Sequence, residues 1–310
     1  MNLKRAIGGF LLSFVFLLVF LYAISGVNWL SNNFLAAKMS PASVSSAVAN
    51  IGLDNNQNAQ LPTENCQLPE LTIDAASTIS LESDLFGEDK IIFEKAGDTK
   101  LPIASLTKLM TAIVVLDNYD LSENITIDKR ADSQDPMKQD VKLGDIMPAE
   151  NFLDIMLIGS SNKSAYALSE FIGESAFVGL MNKKAEEIGL KNTIFQDPTG
   201  LSSQNVSTAM DLTELAEYIL KNYPKIVEIS RLKELDIPKF GKIINTNELL
   251  GEVPEIVFGK TGFTAEAKGS LLLVTNNQRN TDYIINIILG AGDRFLEMRK
   301  LIDWQNAACK

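Results

Sequence analysis

The chain contains no histidine among its 310 residues. This absence excludes Ser-His-Asp and Cys-His catalysis, the zinc motifs that use histidine, and any imidazole acting as an acid or a base. If the protein transfers protons near neutral pH, that task falls to Lys, Asp, Glu or Tyr side chains. Few hydrolase mechanisms are compatible with this restriction.

Cysteine is also scarce, because only Cys66 and Cys309 occur. Their positions lack the CxxC spacing of a zinc ribbon or a redox pair, so we expect no metal and no cofactor. In an exported protein the two could form one disulfide that joins the N-terminal and C-terminal edges of the folded domain. The sequence leaves this pairing open, since a disulfide requires two Cβ atoms that lie close together.

Basic residues are too few and too scattered to form a positively charged stripe. The formal net charge is −11 and the isoelectric point is near 4.7. Because phosphate binding requires clustered Lys and Arg, we exclude a nucleic-acid partner. The apolar fraction of 46% excludes disorder throughout and allows one large core or two smaller ones.

An uncharged apolar run, residues 6–24, follows Lys4 and Arg5 near the N-terminus. The run is long enough to span a bilayer, and its positive flank is predicted to stay in the cytoplasm. We therefore expect residues 1–30 to be a transmembrane anchor or a signal segment, with the rest of the chain outside the cytoplasm. Retention would give a single-pass protein of the cell membrane, whereas cleavage near Ala23 would release a secreted protein.

The rest of the chain divides into a linker and one folded domain. Residues 31–71 are rich in Asn, Gln, Ser, Ala and Pro, which predicts a flexible linker before a domain at residues 72–310. Strand patterns stand at both ends of that domain and helical patterns lie between them. The predicted strands are residues 78–83, 91–95, 255–259, 270–276 and 283–289, and the predicted helices are 106–119, 149–172, 175–188, 208–222 and 294–307. This order predicts an α+β fold, in which both chain ends build one antiparallel sheet with helices on its faces.

The segment Ser105-Leu106-Thr107-Lys108 is the first candidate for chemistry. Pro102 precedes it and an apolar helical run follows, which places Ser105 at a helix N-terminus. Lys108 then lies on the same helix face, and burial would lower its pKa until the neutral amine could accept the serine proton. A capping serine with a snorkelling lysine is the alternative. The Ser-x-x-Lys spacing also recurs at Ser160 and Ser230.

The segment from Lys260 to Thr264 is the second candidate. It reads Lys260-Thr261-Gly262-Phe263-Thr264 and continues an apolar strand pattern. Gly262 would allow a ligand to approach the backbone, and Lys260 and Thr261 could hold a carboxylate. The N–H of Phe263 could complete an oxyanion hole opposite the serine. An exposed strand end with a solvated lysine is the alternative.

Ser160 and Asn162 form the third candidate, because they interrupt an apolar pattern near a helix junction. Buried polar groups at such a place need hydrogen-bond partners. Ser160 could relay a proton between Lys108, Lys260 and a leaving amine, while Asn162 donates its amide to substrate. An ordinary turn between helices is the alternative.

The order of these motifs resembles that of penicillin-recognising enzymes, with Ser-x-x-Lys first, Ser-x-Asn second and Lys-Thr-Gly last. The resemblance is to the low-molecular-mass penicillin-binding proteins, the D-alanyl-D-alanine carboxypeptidase and endopeptidase family, over roughly residues 72 to 305. Beyond the motifs it rests on the segments LPIASLTKLMTAIVVLD, MNKKAEEIGLKNTIFQDPTGLSSQNVSTAMDLTELA, NTNELL and KTGFT.

The resemblance implies a β-lactamase-like fold with an all-helical subdomain. It also implies a serine-type D-Ala-D-Ala carboxypeptidase that acts on peptidoglycan stem peptides through an acyl-enzyme on Ser105, or an endopeptidase that cuts cross-links with the same site. Such an enzyme serves cell wall biogenesis and cell shape, and β-lactam antibiotics would acylate it. By motif position, Lys108 is the general base, Ser160 and Asn162 the second catalytic element, and residues 260–264 the substrate-binding strand.

Further positions bear on substrate and mechanism. Arg294 resembles a family arginine near the substrate carboxylate, although a surface charge at a helix start is an equal alternative. Thr246 stands where several relatives have Arg, which favours the endopeptidase branch. The β-rich domain and C-terminal anchor of many relatives are not expected here. Two rival functions are a β-lactamase, for which the class A Glu-x-x-Leu-Asn segment is missing, and an inactive wall-binding scaffold.

Overall fold

The computed structural model describes residues 70–85, 89–137, 140–277 and 282–307, all of which belong to one unit of the chain, Asn65–Lys310. The predicted N-terminal segment, nearly all of the predicted linker and both cysteines lie outside the described residues. The anchor, the domain boundaries and the disulfide therefore stay predictions. Within the described residues, no helix is both long enough and apolar enough to cross a membrane.

Strands stand at both ends of the domain, and helices fill its middle. The strands are β1 (Ser77–Ser83), β2 (Lys90–Lys95), β3 (Leu101–Pro102), β4 (Asn124–Thr126), β5 (Ile146–Pro148), β6 (Val206–Ser207), β7 (Glu234–Ile237), β8 (Gly241–Ile244), β9 (Ile256–Thr264), β10 (Lys268–Asn276) and β11 (Tyr283–Ala291). The helices are α1 (Thr107–Asn118), α2 (Lys129–Asp132), α3 (Ala149–Ile158), α4 (Asn162–Glu170), α5 (Glu174–Ile188), α6 (Ala209–Asn222), α7 (Pro224–Ser230) and α8 (Arg294–Ala307).

A five-stranded sheet with the order β2-β1-β11-β10-β9 joins the two ends of the domain. All of its neighbouring strands are antiparallel. Strand β1 pairs with β11 so that Ser77 lies opposite Leu289. The predicted α+β fold, with one antiparallel sheet built from both chain ends, is confirmed.

Each face of this sheet is covered by helices, because successive residues of a strand point to opposite faces. On β10, Leu272 belongs to the larger core, which contains the helices between residues 107 and 230. Leu271 and Leu273 point the other way and share the smaller core with Met298 of α8. The sheet is therefore a middle layer, and the side chains of its edge strand β9 can reach the helical side.

The predicted helix over residues 149–172 is interrupted, which corrects that prediction. Helix α3 ends at Ile158, and Ser160 adopts a left-handed φ of 61°, a conformation that cannot continue a helix. Ser161 then starts α4, because its Oγ accepts the N–H of Ser164 at 2.9 Å. The interruption leaves Ser160 between two helices, where its Oγ accepts a hydrogen bond from the Lys260 Nζ at 2.8 Å.

Several smaller features were not predicted, among them helix α2 and the strand pair β3–β6. Helix α7 begins with Pro224 directly after α6, and the hairpin β7–β8 follows it. A short antiparallel pair, β4 with β5, lies within the predicted all-helical subdomain. The remaining predicted elements agree with the structure within a few residues, and Thr208 caps α6 as expected by accepting the Asp211 N–H at 3.0 Å.

Candidate active site

Ser105 lies in a tight turn between β3 and α1. A 3-10 turn covers Ala104–Leu106, and α1 begins at Thr107. Ala104 has a left-handed φ of 47°, which is uncommon for a residue with a side chain. The prediction that Ser105 stands at the start of a helix is confirmed, and the residue is only partly buried.

Two glycines from other segments pack against this turn. A Cβ atom built on Gly262 of β9 would lie 2.9 Å from the Ile103 carbonyl oxygen and 3.1 Å from the Ser105 nitrogen. A Cβ atom on Gly200, whose φ is +86°, would lie 2.0 Å from the Ala104 carbonyl oxygen. Because neither position has room for a side chain, glycine allows the backbone of both segments to contact the serine turn.

Lys108 is fully buried beside Ser105. Its Nζ lies 2.8 Å from the Ser105 Oγ, 2.8 Å from the Asn162 Oδ1 and 2.6 Å from the Thr199 carbonyl oxygen. Burial lowers the pKa of Lys108 to about 7, against the opposing effect of two nearby carboxylates. An amine with that pKa can accept and release a proton at neutral pH.

The other two Ser-x-x-Lys matches do not form such a pair. Lys163 makes an ion pair with Asp132 at 2.7 Å, while Ser160 contacts a different lysine. The Oγ of Ser230 is buried without a hydrogen-bond partner. Of the three matches, only the one at Ser105 brings the amine onto the hydroxyl.

Lys260 is the second buried lysine of the site, with 1% of its surface exposed. It lies opposite Leu272 in the β9–β10 pairing, so it shares the face of the sheet that packs on the larger core. Its Nζ donates to the Ser160 Oγ at 2.8 Å and to the Thr261 carbonyl oxygen at 3.1 Å. Burial, and then repulsion by the charges of Lys108 and Arg294, hold the pKa of Lys260 well below its ordinary value.

Asn162 connects the lysine of α1 with the loop before β5. Its Oδ1 accepts a hydrogen bond from Lys108, and its Nδ2 donates to the Asp135 carbonyl oxygen at 2.9 Å. The amide that was expected to donate to substrate therefore already has a protein partner. The structure thus brings Ser105, Lys108, Asn162, Ser160 and Lys260 together in two hydrogen-bonded groups.

The remaining predicted residues line the end of β9. Thr261 is buried, and its Oγ1 lies 2.6 Å from the Thr246 Oγ1. Phe263 is 63% exposed. The Oγ1 of Thr264 accepts the Ala267 N–H at 3.0 Å and so belongs to the turn into β10.

Arg294 begins α8 and is partly buried. Its guanidinium lies 4.5 Å from the centre of the Phe295 ring, and its Nε has no hydrogen-bond partner. Burial lowers the pKa of Arg294, and its charge acts on Lys260. Substrate binding by Thr264 and Arg294 stays a prediction, since neither side chain contacts the two groups.

Several contacts of the site had no counterpart in the sequence prediction. The Thr199 carbonyl is a direct partner of Lys108, and the nearby carboxylates of Asp197 and Asp140 raise the pKa of that lysine. The sequence Asp-Pro-Thr-Gly at 197–200 is a strong turn signal that could have drawn attention to this segment. In the part of the chain that the structure describes, no group of three or more Cys, Asp or Glu is placed to hold a metal ion.

Comparisons with known proteins agree with this geometry. The sequence profile of the D-alanyl-D-alanine carboxypeptidase family matches residues 63–293. The chain is 32% identical over 251 residues to the D-alanyl-D-alanine carboxypeptidase DacF of Bacillus subtilis, a match that covers 76% of this chain. It is 33% identical over 248 residues to the D-alanyl-D-alanine endopeptidase of Escherichia coli, which again covers 76% of this chain. The match spans 63% of the length of DacF and 78% of the length of the endopeptidase.

Solved structures give the same result. The crystal structure of a penicillin-binding protein from Listeria monocytogenes in its ampicillin-bound form is similar to this chain, with a TM-score of 0.68 and 26% identity. The similarity covers 76% of this chain and 99% of that chain. The family profile, the curated relatives and the fold all indicate one conclusion: the chain belongs to the D-alanyl-D-alanine carboxypeptidase family.

Proposed function

We propose that the protein is a serine-type D-Ala-D-Ala peptidase that acts on peptidoglycan stem peptides, with carboxypeptidase as its main activity. The observation that carries this proposal is the 2.8 Å contact between the Lys108 Nζ and the Ser105 Oγ in a fully buried setting. A buried amine with a pKa of about 7 supplies the proton acceptor that a chain without histidine otherwise lacks.

In the proposed reaction, the neutral amine of Lys108 takes the hydroxyl proton of Ser105 as the Oγ attacks the carbonyl carbon of the penultimate D-Ala. The N–H groups of Ser105 and Phe263 stabilise the oxyanion. The C–N bond then breaks, and the proton that Lys108 took from Ser105 passes through Ser160, which Lys260 contacts at 2.8 Å, to the leaving amine, so that Lys108 is neutral again. Water hydrolyses the acyl-enzyme and regenerates Ser105.

The second candidate, an endopeptidase, is favoured by the names of several relatives. The curated proteins from Escherichia coli, Pseudomonas aeruginosa and Haemophilus influenzae that match at 33%, 34% and 37% identity are D-alanyl-D-alanine endopeptidases. Both activities hydrolyse a bond after D-Ala, so one site can serve either. They differ in what lies beyond the bond, a single D-Ala or a cross-linked peptide.

Purified muropeptides distinguish the two. Monomeric pentapeptide and cross-linked dimer are offered to the wild type and to Ser105→Ala, and the products are separated by chromatography. Release of free D-Ala supports the carboxypeptidase, whereas loss of dimer with a gain of monomer supports the endopeptidase. If Ser105→Ala is as active as the wild type on both substrates, the serine mechanism is wrong.

We also propose that β-lactams acylate Ser105. The Listeria relative was solved with ampicillin bound, and this chain has the same fold. Fluorescent penicillin should label the wild type and leave Ser105→Ala unlabelled. Absence of any label would favour a wall-binding scaffold, and rapid turnover of a chromogenic cephalosporin would favour a β-lactamase.

Finally, we propose that residues 1–30 attach the enzyme to the outer face of the cell membrane. The proposal rests on the apolar run at 6–24 behind Lys4 and Arg5. The full chain should stay in the membrane fraction after carbonate washing, and a chain without these residues but with a cleavable signal should be released. Recovery of a shortened, soluble form from the full-length gene would show cleavage instead.

A further inference from the structure

A single carboxylate organises the turn beside Lys108. The Oδ1 of Asp197 accepts hydrogen bonds from the Thr199 N–H at 2.6 Å, the Thr199 hydroxyl at 2.6 Å and the Gly200 N–H at 2.7 Å. Its Oδ2 accepts the Ser202 N–H at 2.7 Å. Because hydrogen bonds to a carboxylate are strong, these four contacts fix the path of the backbone through residues 197–202.

This turn contacts the helix of the nucleophile at consecutive carbonyl groups. The Pro198 carbonyl accepts the Thr111 hydroxyl at 2.7 Å, and the Thr199 carbonyl accepts the Lys108 amine at 2.6 Å. Thr111 and Lys108 lie one turn apart on the same side of α1. The orientation of the Thr199 carbonyl therefore depends on the shape of the turn.

Asn205, which is fully buried, joins the same segment to α1. Its Oδ1 accepts the N–H groups of Gln196 and Asp197 at 2.6 and 3.1 Å. Its Nδ2 donates to the Asp197 carbonyl and to the Thr107 hydroxyl at 3.0 and 3.1 Å. All four hydrogen-bonding positions of the side chain are used, so Asn205 links the turn directly to the helix.

The Thr199 carbonyl determines where the lone pair of Lys108 points. A protonated amine has three N–H groups, one for each of its contacts with Ser105, Asn162 and Thr199. The neutral amine keeps two N–H groups, and the carbonyl oxygens of Asn162 and Thr199 accept both. The lone pair is then directed at the Ser105 hydroxyl. Without a well-placed Thr199 carbonyl, the amine could instead rotate an N–H toward Ser105 and block proton transfer.

We propose that Asp197 is a positioning residue for the proton acceptor: it shapes the 197–202 turn so that the Thr199 carbonyl holds the Lys108 amine with its lone pair on Ser105. The proposal rests on the proposed function, because it assumes that Lys108 accepts the serine proton. Asp197 touches no reacting atom and acts through Thr199.

Because Asp197 is charged, its replacement should change the pH dependence of acylation, and a loss of folding would not produce that change. Two carboxylates raise the pKa of Lys108, those of Asp197 and Asp140. The amine of Lys260 on β9 is the other titratable group nearby, and the charge of Lys108 lowers the pKa of Lys260. Removing the charge of Asp197 therefore lowers the pKa of Lys108. The neutral, active amine then persists to lower pH.

The test measures the second-order rate of acylation by fluorescent penicillin as a function of pH, together with thermal unfolding. Asp197→Asn should be acylated about tenfold more slowly at high pH, and the midpoint of its rise with pH should move down by about one pH unit. Asp197→Glu keeps the charge but displaces the oxygens, so its rate should fall at an unchanged midpoint.

Asp211→Asn is the matched control. Asp211 is also a buried carboxylate that orders a loop, since its Oδ2 accepts the Asn192 N–H and the Thr193 hydroxyl, each at 2.7 Å. It is not among the charges that act on Lys108. This variant should lose thermal stability while its midpoint stays at the wild-type value.

The outcomes separate the two proposals. If the wild type is not acylated, or if Ser105→Ala is, the proposed function fails before Asp197 is considered. If only Ser105→Ala is inert and Asp197→Asn has the wild-type rate and midpoint, the role of Asp197 is wrong. An equal change of midpoint in Asp211→Asn would also overturn it. If Asp197→Asn does not fold, Asp197→Glu decides, because a wild-type rate there contradicts positioning.

Discussion

Lys108 and Lys260 are both buried amines, but their surroundings differ in charge. Lys108 lies near the carboxylates of Asp197 and Asp140, which offset part of the effect of burial and leave its pKa at about 7. The charges acting on Lys260 are those of Lys108 and Arg294, which add to the effect of burial and hold its pKa well below the ordinary value. Burial alone makes a lysine a neutral polar group, whereas burial near carboxylates makes it a base that works at neutral pH.

In the reaction that we propose, this difference allows two lysines to take part without competing for the proton of the serine. In that reaction Lys108 gains and loses a proton in each cycle, while Lys260 donates hydrogen bonds to Ser160 and to its own strand. A substrate carboxylate near Lys260 would supply the negative charge that this amine lacks. The four predictions below test the contrast.

The largest effect is expected for Lys108→Met, which replaces the base by an apolar side chain of similar length. Acylation by penicillin should fall by about 10⁴-fold, since no other group can take the serine proton. The measurement is the second-order rate of labelling at pH 8. Lys163→Met is the control, because Lys163 is held by Asp132 and should leave the rate unchanged. A rate within tenfold of the wild type for Lys108→Met would rule out Lys108 as the base.

The next prediction compares the two glycines that pack against the serine turn. Gly200 follows Thr199, which contacts Lys108, and Gly262 lies on β9 with Lys260. Gly200→Ala places a Cβ 2.0 Å from a backbone oxygen at a φ of +86°, whereas Gly262→Ala meets backbone atoms no closer than 2.9 Å. We expect Gly200→Ala to lower the free energy of unfolding by roughly 4 kcal/mol and Gly262→Ala by about 2 kcal/mol. Urea unfolding measures both, and equal losses would show that the Lys108 side is no more tightly packed than the Lys260 side.

Lys260→Met should have a smaller effect on activity than Lys108→Met. We expect acylation to fall by about 10²-fold, because Ser160 loses its partner while the base stays in place. The pH at which the rate of Lys260→Met is half-maximal should stay close to the wild-type value. A loss as large as that of Lys108→Met would mean that the two amines act as one unit.

The smallest expected effect is the change of the free energy of unfolding with pH. In the folded state the amine of Lys108 is neutral above about pH 8, and the lowered pKa of Lys260 favours its neutral form as well, whereas the unfolded lysines keep their protons up to their ordinary pKa. Unfolding therefore takes up protons, and stability should rise with pH by about 1.4 kcal/mol per unit for each lysine. Urea midpoints between about pH 8 and pH 9.5 measure the slope. Each Lys→Met variant should lose the part of this slope that the replaced lysine contributes. An unchanged slope would contradict the lowered pKa of that lysine.

The sequence predicted the parts of the site that depend on residue type. Ser105, Lys108 and Lys260 could be identified because few side chains can perform their chemistry and because their order along the chain is distinctive. The Thr199 carbonyl could not be identified in this way, since every residue has a carbonyl group. The pKa difference between the two lysines likewise depends on which charges the fold brings near them.

The fold, like the site, was predicted only where the sequence pattern is distinctive. Strong periodic patterns predicted the sheet and the longer helices within a few residues. The hairpin β7–β8 was missed because its strands are four residues each and contain charged residues on an exposed edge. The predicted helix over residues 149–172 left out the break at Ser160, although the polar residues there indicated a helix junction. The left-handed backbone of Ser160 ends the first helix and the cap of Ser161 starts the second.

The pairing of β1 with β11 has a consequence for the order of events during synthesis. Ser77 cannot find Leu289 until almost the whole domain has been made, so the central pair of the sheet closes last. A nascent chain that has passed α1 already carries Ser105 and Lys108, yet β9 and its Lys260 are still to come. The two lysines can meet only after β9 has been made, so a chain that ends before β9 lacks the Lys260 half of the site.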